Sequence, residues 1–323
     1  MTLNHAASHN WSLYNDIFPI IGQHLIRINL KLIFTFLLIW IFADLSQCQS
    51  AELKEASGIK DSVLRPSWYQ MITNIPGDWA EFYKTSFTTD KIPLYAGVTL
   101  LTAGLIATDE KTWQESNRLY KQFRSVKVLS DFFTEIGDGR TQFGMAGAFA
   151  IYGLLTSDNK ALRTASQITQ AILSSGAVVQ VLKHITGRQS PFVSTKPRGR
   201  WDFFPNQIDY HKHVPSYDAY PSGHVTTTLA TVIVIAENYP DIKWIKPLGY
   251  TLTGLLAISM VNTGIHWYSD YPLALVFGYT FGMIASHPEG ISNVLLEKTG
   301  NRIQISPTFE NNTFGFGIYY SLN

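Results

Sequence analysis

Cysteine is almost absent. The 323 residues contain one, Cys48, and a single thiol can neither close a disulfide framework nor build a cysteine-ligated metal site. Charge is scarce too. Asp, Glu, Lys and Arg make up 15% of the chain, against about 25% in an average soluble domain. What charge there is nearly cancels, at a formal net +1. That removes the basic field by which a protein gathers nucleic acid, and no nucleic-acid partner is expected. No internal repeat is apparent. Apolar residues fill the space that charge leaves, at 46%, and this composition points to extensive buried helix or to membrane contact.

The apolar residues are unevenly placed. Leu32 to Ala43 is an uninterrupted apolar run preceded by Arg27 and Lys31 and followed by small and polar residues to Ser50. Basic region, short apolar core and small-residue end form the layout of a signal peptide. Residues 1–50 therefore read as a signal peptide or an N-terminal anchor, with a mature start near residues 49–52 and export from the cytoplasm. Leu45-Ser46-Gln47-Cys48 resembles a lipoprotein box only weakly, because Gln47 fits it poorly. Residues 51–75 are mixed and polar and read as a linker or arm.

Six charge-poor stretches follow: Ile92–Thr108, Thr141–Ser157, Thr164–Leu182, Val225–Ala236, Pro247–Ile265 and Tyr271–Ser286. Their lengths and their Leu, Ala and Ile content predict helices rather than strands. The fold class expected is all-α, a bundle of about six core helices over residues 76–290. Each stretch lies near the lower limit for a membrane span, and the third carries Gln167, Gln170, Ser174, Ser175 and Gln180, which suits a helix buried in protein. An inner-membrane bundle with a periplasm-facing site and a soluble periplasmic bundle both fit. In the tail, residues 291–323, Arg302–Phe309 and Thr313–Leu322 are rich in β-branched and aromatic residues. The turn signal Glu310-Asn311-Asn312 lies between them, and the pair reads as a β-hairpin.

Chemistry-bearing residues cluster at three helix ends. Lys183-His184-Ile185-Thr186-Gly187-Arg188-Gln189-Ser190-Pro191 closes the third stretch. Gly187 and Pro191 are stop signals, so Lys183 and Arg188 emerge together there. Taken alone they read as cations complementing a helix C-terminus. Pro221-Ser222-Gly223-His224 precedes an apolar helix. Ser222 is a natural N-cap, and the free amides of a helix start make an anion site. His224 is placed there to donate a proton to a leaving group. His266 and Asp270 stand four apart after the fifth stretch, within reach across one helical turn. A carboxylate on one imidazole nitrogen fixes the tautomer and leaves the other nitrogen free to attack.

Together the three clusters resemble the signature of the phosphatidic-acid-phosphatase type 2 (PAP2) and vanadium-haloperoxidase superfamily. That signature runs Lys then Arg-Pro, Pro-Ser-Gly-His, and Ser-Arg with His and Asp downstream. Phe133-Thr134-Glu135-Ile136-Gly137-Asp138-Gly139 is similar to bacterial members as well, so the resemblance spans roughly residues 76–287. It implies His266 as nucleophile, Asp270 as its orienter and His224 as general acid. Lys183, Arg188 and the amides of Ser222 and Gly223 would hold the phosphate oxygens, with no metal and no cofactor.

Two departures stand out. Ser190 occupies the position of the family's first arginine, and Met260 that of its second. Arg188 is a candidate substitute for the first, and nothing obvious replaces the second. The activity expected is metal-independent hydrolysis of lipid phosphate mono- or diesters of the phosphatidate or polyprenyl-diphosphate type, through a phosphohistidine. The partner expected is a phosphorylated lipid, with membrane association. A broad-specificity periplasmic acid phosphatase and a degenerate lipid-phosphate binder without turnover are the competing readings. His211-Lys212-His213 reads as a solvated loop, and Trp201, Phe203, Phe204 and Tyr210 as a substrate rim or a hydrophobic anchor for that loop.

Overall fold

A computed structural model of the protein describes residues 65–287 and the strand segments 303–310 and 313–320. The leader expected at residues 1–50 lies outside the described residues, as does most of the arm after it. The helices, in chain order, are α1 (Gln70–Thr73), α2 (Ile75–Ser86), α3 (Ile92–Gln122), α4 (Arg124–Ile136), α5 (Gly139–Thr156), α6 (Asn159–Thr186), α7 (Gln207–Lys212), α8 (Gly223–Asn238), α9 (Ile245–Asn262) and α10 (Tyr271–Ser286). Each of the six charge-poor stretches coincides with a helix of this all-α bundle, although Ser157 and Thr263, Gly264 and Ile265 lie just past the ends of theirs. In the tail, β1 (Ile303–Glu310) pairs antiparallel with β2 (Thr313–Tyr320), with Glu310 opposite Thr313.

The bundle is built around α6 and α8. Asp158 caps α6 by accepting from the Lys160 and Ala161 amides, and the helix stops at Gly187, whose φ of +53° is one that glycine adopts without steric cost. Helix α10 lies very close along α8. A Cβ at Gly278 would sit 2.6 Å from the Thr226 carbonyl oxygen, and one at Gly282 would sit 2.9 Å from that of Ala230. Glycines one turn apart thus let two backbones approach. Apolar layers pack on either side. Phe149, Ile168, Val234 and Tyr239 fill one, and Phe82, Val179, Phe277 and Phe281 another.

Three features depart from the linear reading. Helix α3 does not end with its apolar stretch but continues through Asp109 and the charged residues after it to Gln122. Helix α4 was not anticipated, because its charged residues interrupt its apolar ones. The end of the supposed arm is ordered: Asn74 donates to Gln170 Oε1 (3.1 Å), Gln170 donates to Asp78 Oδ1 (2.7 Å), and the Trp79 indole donates to the Ser174 carbonyl (3.0 Å). Polar residues along α6 are satisfied by this N-terminal segment, as buried polar groups must be.

Candidate active site

The three clusters meet at one end of the bundle. Lys183 lies in the last turn of α6 and is buried, with Nζ 3.5 Å from Asp218 Oδ2. Across from it, α8 begins. Ser222 is its N-cap, its Oγ accepting from the Val225 amide, while the Ser222 amide donates to the Asp270 carbonyl at 3.1 Å. The Ser222 N–H is therefore already used. The first-turn amides of Gly223 and His224 have no acceptor inside their helix. A Cβ added at Gly223 would lie 3.8 Å from Lys183 Nζ, so a cation and a helix N-terminus adjoin, two features that favour an anion.

His266 follows the C-terminal turn of α9 and is buried. Its Nδ1 is 2.8 Å from the Ala219 carbonyl oxygen and 3.4 Å from Asp270 Oδ2. A carbonyl only accepts, so Nδ1 carries the hydrogen and the Nε2 lone pair is left open. Nε2 in turn is 3.3 Å from His224 Nδ1. In that tautomer Nε2 accepts, so His224 is the donor. The nucleophile and the proton donor expected from the sequence thus stand side by side. Orientation of His266 is shared, however. The nearer acceptor is Ala219, and Asp270 is the farther one, with Oδ2 also accepting from the Trp267 amide at 2.7 Å.

Arg188 takes a different place from the one expected. Its guanidinium is 0% exposed and lies behind Asp270 rather than at the helix start. Nη1 donates to Asp270 Oδ1 (2.5 Å) and Ser269 Oγ (2.6 Å), and Nη2 to Asp109 Oδ2 (2.8 Å) and the Arg198 carbonyl (3.2 Å). Trp201 and Trp267 cover it, at 4.7 and 5.4 Å from Cζ to ring centre. Four of its donors are committed inside the protein, which leaves it little with which to grip a phosphate. Ser190 and Met260 are also buried.

Reading the sequence missed Asp109, Ser269, Asp218 and the Ala219 carbonyl. Asp109 was hidden because it opens the charged half of α3, which reads as a helix boundary. That half docks on the site. Glu110 accepts from the Arg198 amide (2.9 Å), Trp113 packs edge-on against Trp267 (5.8 Å), and Asn117 donates to the Asn262 carbonyl (3.1 Å). The aromatic loop divides. Trp201 covers Arg188 and Tyr210 stacks on His184 (4.0 Å), while Phe203 and Phe204 are exposed. His211 Nδ1 donates to the Gln207 carbonyl within its own short helix (2.7 Å).

The bundle thus gathers a histidine pair, a lysine and a capped helix start at one of its ends. Residues 164–288, from α6 to just past the end of α10, match the family model described as the PAP2 superfamily. The matched segment holds all three clusters. No curated protein matches the chain. Among solved structures, the crystal structure of Aquifex aeolicus LpxE is similar, with 15% identity over 55% of this chain and 93% of its own, and a TM-score of 0.41. So is the first transmembrane PAP2 type phosphatidylglycerolphosphate phosphatase from Bacillus subtilis, with 11% identity over 71% of this chain and 97% of its own, and a TM-score of 0.42.

Proposed function

We propose that the protein hydrolyses phosphorylated lipids through a phosphohistidine on His266. The observation that carries this reading is the tautomer: the Ala219 carbonyl holds the hydrogen on Nδ1, so Nε2 presents its lone pair toward His224 at the start of α8. A phosphoryl group bound by Lys183 and the Gly223 and His224 amides would displace the His224 contact and face Nε2. Burial, with His266 and Lys183 beside it, pushes the His224 imidazole down to about 3 in the free protein, and the negative charge of a bound phosphate raises it again. Attack forms the Nε2–P bond as the P–O bond to the lipid breaks, and His224, protonated in the substrate complex, gives its proton to the departing oxygen. Water then attacks phosphorus and yields a proton to His224. The N–P bond breaks, inorganic phosphate leaves and His266 is regenerated.

The surface of the bundle supports a lipid substrate and membrane association. By length and composition, the helical segment Thr89–Gln122, which is α3 with the single 3-10 turn before it, is long and apolar enough to cross a membrane. Large apolar side chains also face outward from it and from other helices of the bundle: Leu100 and Leu101 on α3, Ile151 and Leu155 on α5, Val181 on α6 and Ile258 on α9. Outward-facing apolar side chains on several helices mark a membrane or partner surface.

The test is phosphate release from phosphatidate, undecaprenyl diphosphate and phosphatidylglycerol phosphate in mixed micelles, against a soluble aryl phosphate, with EDTA present and vanadate as inhibitor. Release from one or more of the lipids, insensitive to EDTA and blocked by vanadate, is expected. Turnover of the aryl phosphate alone would move the protein to the soluble acid phosphatases. No turnover, with lipid phosphate still bound, would make it a binder.

A further inference from the structure

Three charged side chains are buried together behind His266: Asp270, Arg188 and, from α3, Asp109, which is 1% exposed. Asp109 is surrounded by donors. Its Oδ1 accepts from the Ser269 amide, and its Oδ2 from Arg188 Nη2 and from the Ser269 hydroxyl. That hydroxyl accepts from Arg188 Nη1, so its own hydrogen is directed to Asp109. The guanidinium nitrogen and the backbone amide can only donate, and both favour the ionised form of Asp109.

The charges then sum to one net negative: two carboxylates against one guanidinium. Arg188 alone would cancel Asp270, and a cancelled Asp270 would offer His266 a dipole instead of an anion. Asp109 restores the missing charge. Resting His266 is neutral, but bond formation at Nε2 makes its ring cationic, and the cluster is then balanced. The negative charge becomes useful only as the phosphohistidine forms, the condition under which an interaction lowers a barrier.

We infer that Asp109 is a positioning residue of the catalytic centre, which with Arg188 clamps Asp270 and sets the net negative charge that stabilises cationic His266. The inference rests on the reading of His266 as nucleophile. Other groups also bear on His266. His224 faces it from α8 and Tyr271 from α10, at ring separations of 5.6 and 6.2 Å, and Lys183 and Asp138 act on His224. None of these changes in the variants below.

Asp109→Asn leaves a cluster of zero charge. The acid limb of kcat/KM, which reports protonation of His266, is expected to move down by about one pH unit, and kcat to fall about tenfold with KM nearly unchanged. The double variant Asp109→Asn/Arg188→Met returns the cluster to one net negative, since Asp270 alone remains charged. Its acid limb should return to the wild-type position and its kcat should exceed that of the single variant. Packing alone predicts the reverse, because the double variant loses more contacts. A single variant with an unmoved limb, or a double variant that is worse than the single or does not fold, overturns the inference. If Asp109→Asn alone fails to fold, the limb of the double variant decides. Should the wild-type protein show no turnover, the proposed function fails rather than the clamp. The same shifts are then read from the His266 imidazole titration by nitrogen-15 NMR, which requires no catalysis.

Discussion

Replacing Arg188 by alanine separates a buried clamp from a phosphate ligand. The guanidinium makes four donations, two of them to carboxylates that are themselves buried. Its removal leaves Asp109 and Asp270 facing each other without a cation. Breaking a buried pair by deleting one partner costs about 3–5 kcal/mol, and the space left between Trp201 and Trp267 adds a cavity cost. Set against a total stability of about 5–15 kcal/mol, the variant should lose a large part of its folding free energy. Equilibrium urea unfolding in detergent reads this directly. Arg188→Lys should recover little, because one ammonium cannot reach four acceptors that a planar fork spans. Lys183→Ala should lose much less stability, because its partner Asp218 is partly exposed, and should raise KM, since Lys183 adjoins the helix start. If Arg188→Ala unfolds like the wild type while KM rises, Arg188 holds phosphate and the clamp is wrong.

Three further outcomes follow from individual side chains. His224→Ala should slow lipid alkyl phosphates by about 100- to 10,000-fold and an aryl phosphate with a good leaving group far less; equal losses in a leaving-group series would remove His224 as the acid. Met260→Arg should lower the melting temperature and not raise turnover, because Met260 is fully enclosed and an unpaired buried charge is costly; a faster, equally stable variant would show that the pocket retains room for the family arginine. Burial pushes the Asp78 carboxyl from 3.8 up to about 7, against hydrogen bonds from Gln170 and Ser174 that lower it. The folded state therefore binds more protons than the unfolded one between about pH 4 and 7, and stability falls as pH rises through that window. Asp78→Asn should flatten this slope and melt higher than wild type at pH 8; an unchanged slope would place its origin elsewhere.

The core helices and the pairing of His266 with Asp270 were legible because each is encoded locally. Long charge-poor runs specify the six helices, Ser222 announces the start of α8, and four-residue spacing joins His266 to Asp270. The hairpin strands were legible from their β-branched content and the turn signal between them. What could not be read depends on residues far apart in the chain. Asp109 and Arg188 are 79 residues apart, and the charge of each, taken singly, marks a helix end exposed to solvent. Only their packing against Asp270 shows both to be buried and paired. For the same reason α3 was cut short at Thr108, since the polar half that reads as a boundary is the wall of the site. Arg188, two positions before Ser190, looked like a displaced phosphate ligand because sequence offset carries no information about the direction of a side chain.

The central claim is that His266 Nε2 takes the phosphoryl group. A rapid-quench experiment with phosphorus-32-labelled phosphatidate, or whichever lipid phosphate proves active, tests it by direct detection. The expected product is a labelled protein adduct that is stable to alkali, lost in acid and mapped by mass spectrometry to His266, and absent from His266→Ala. A wild-type enzyme that turns over while forming no such adduct, or a His266→Ala variant that retains turnover, would contradict the account.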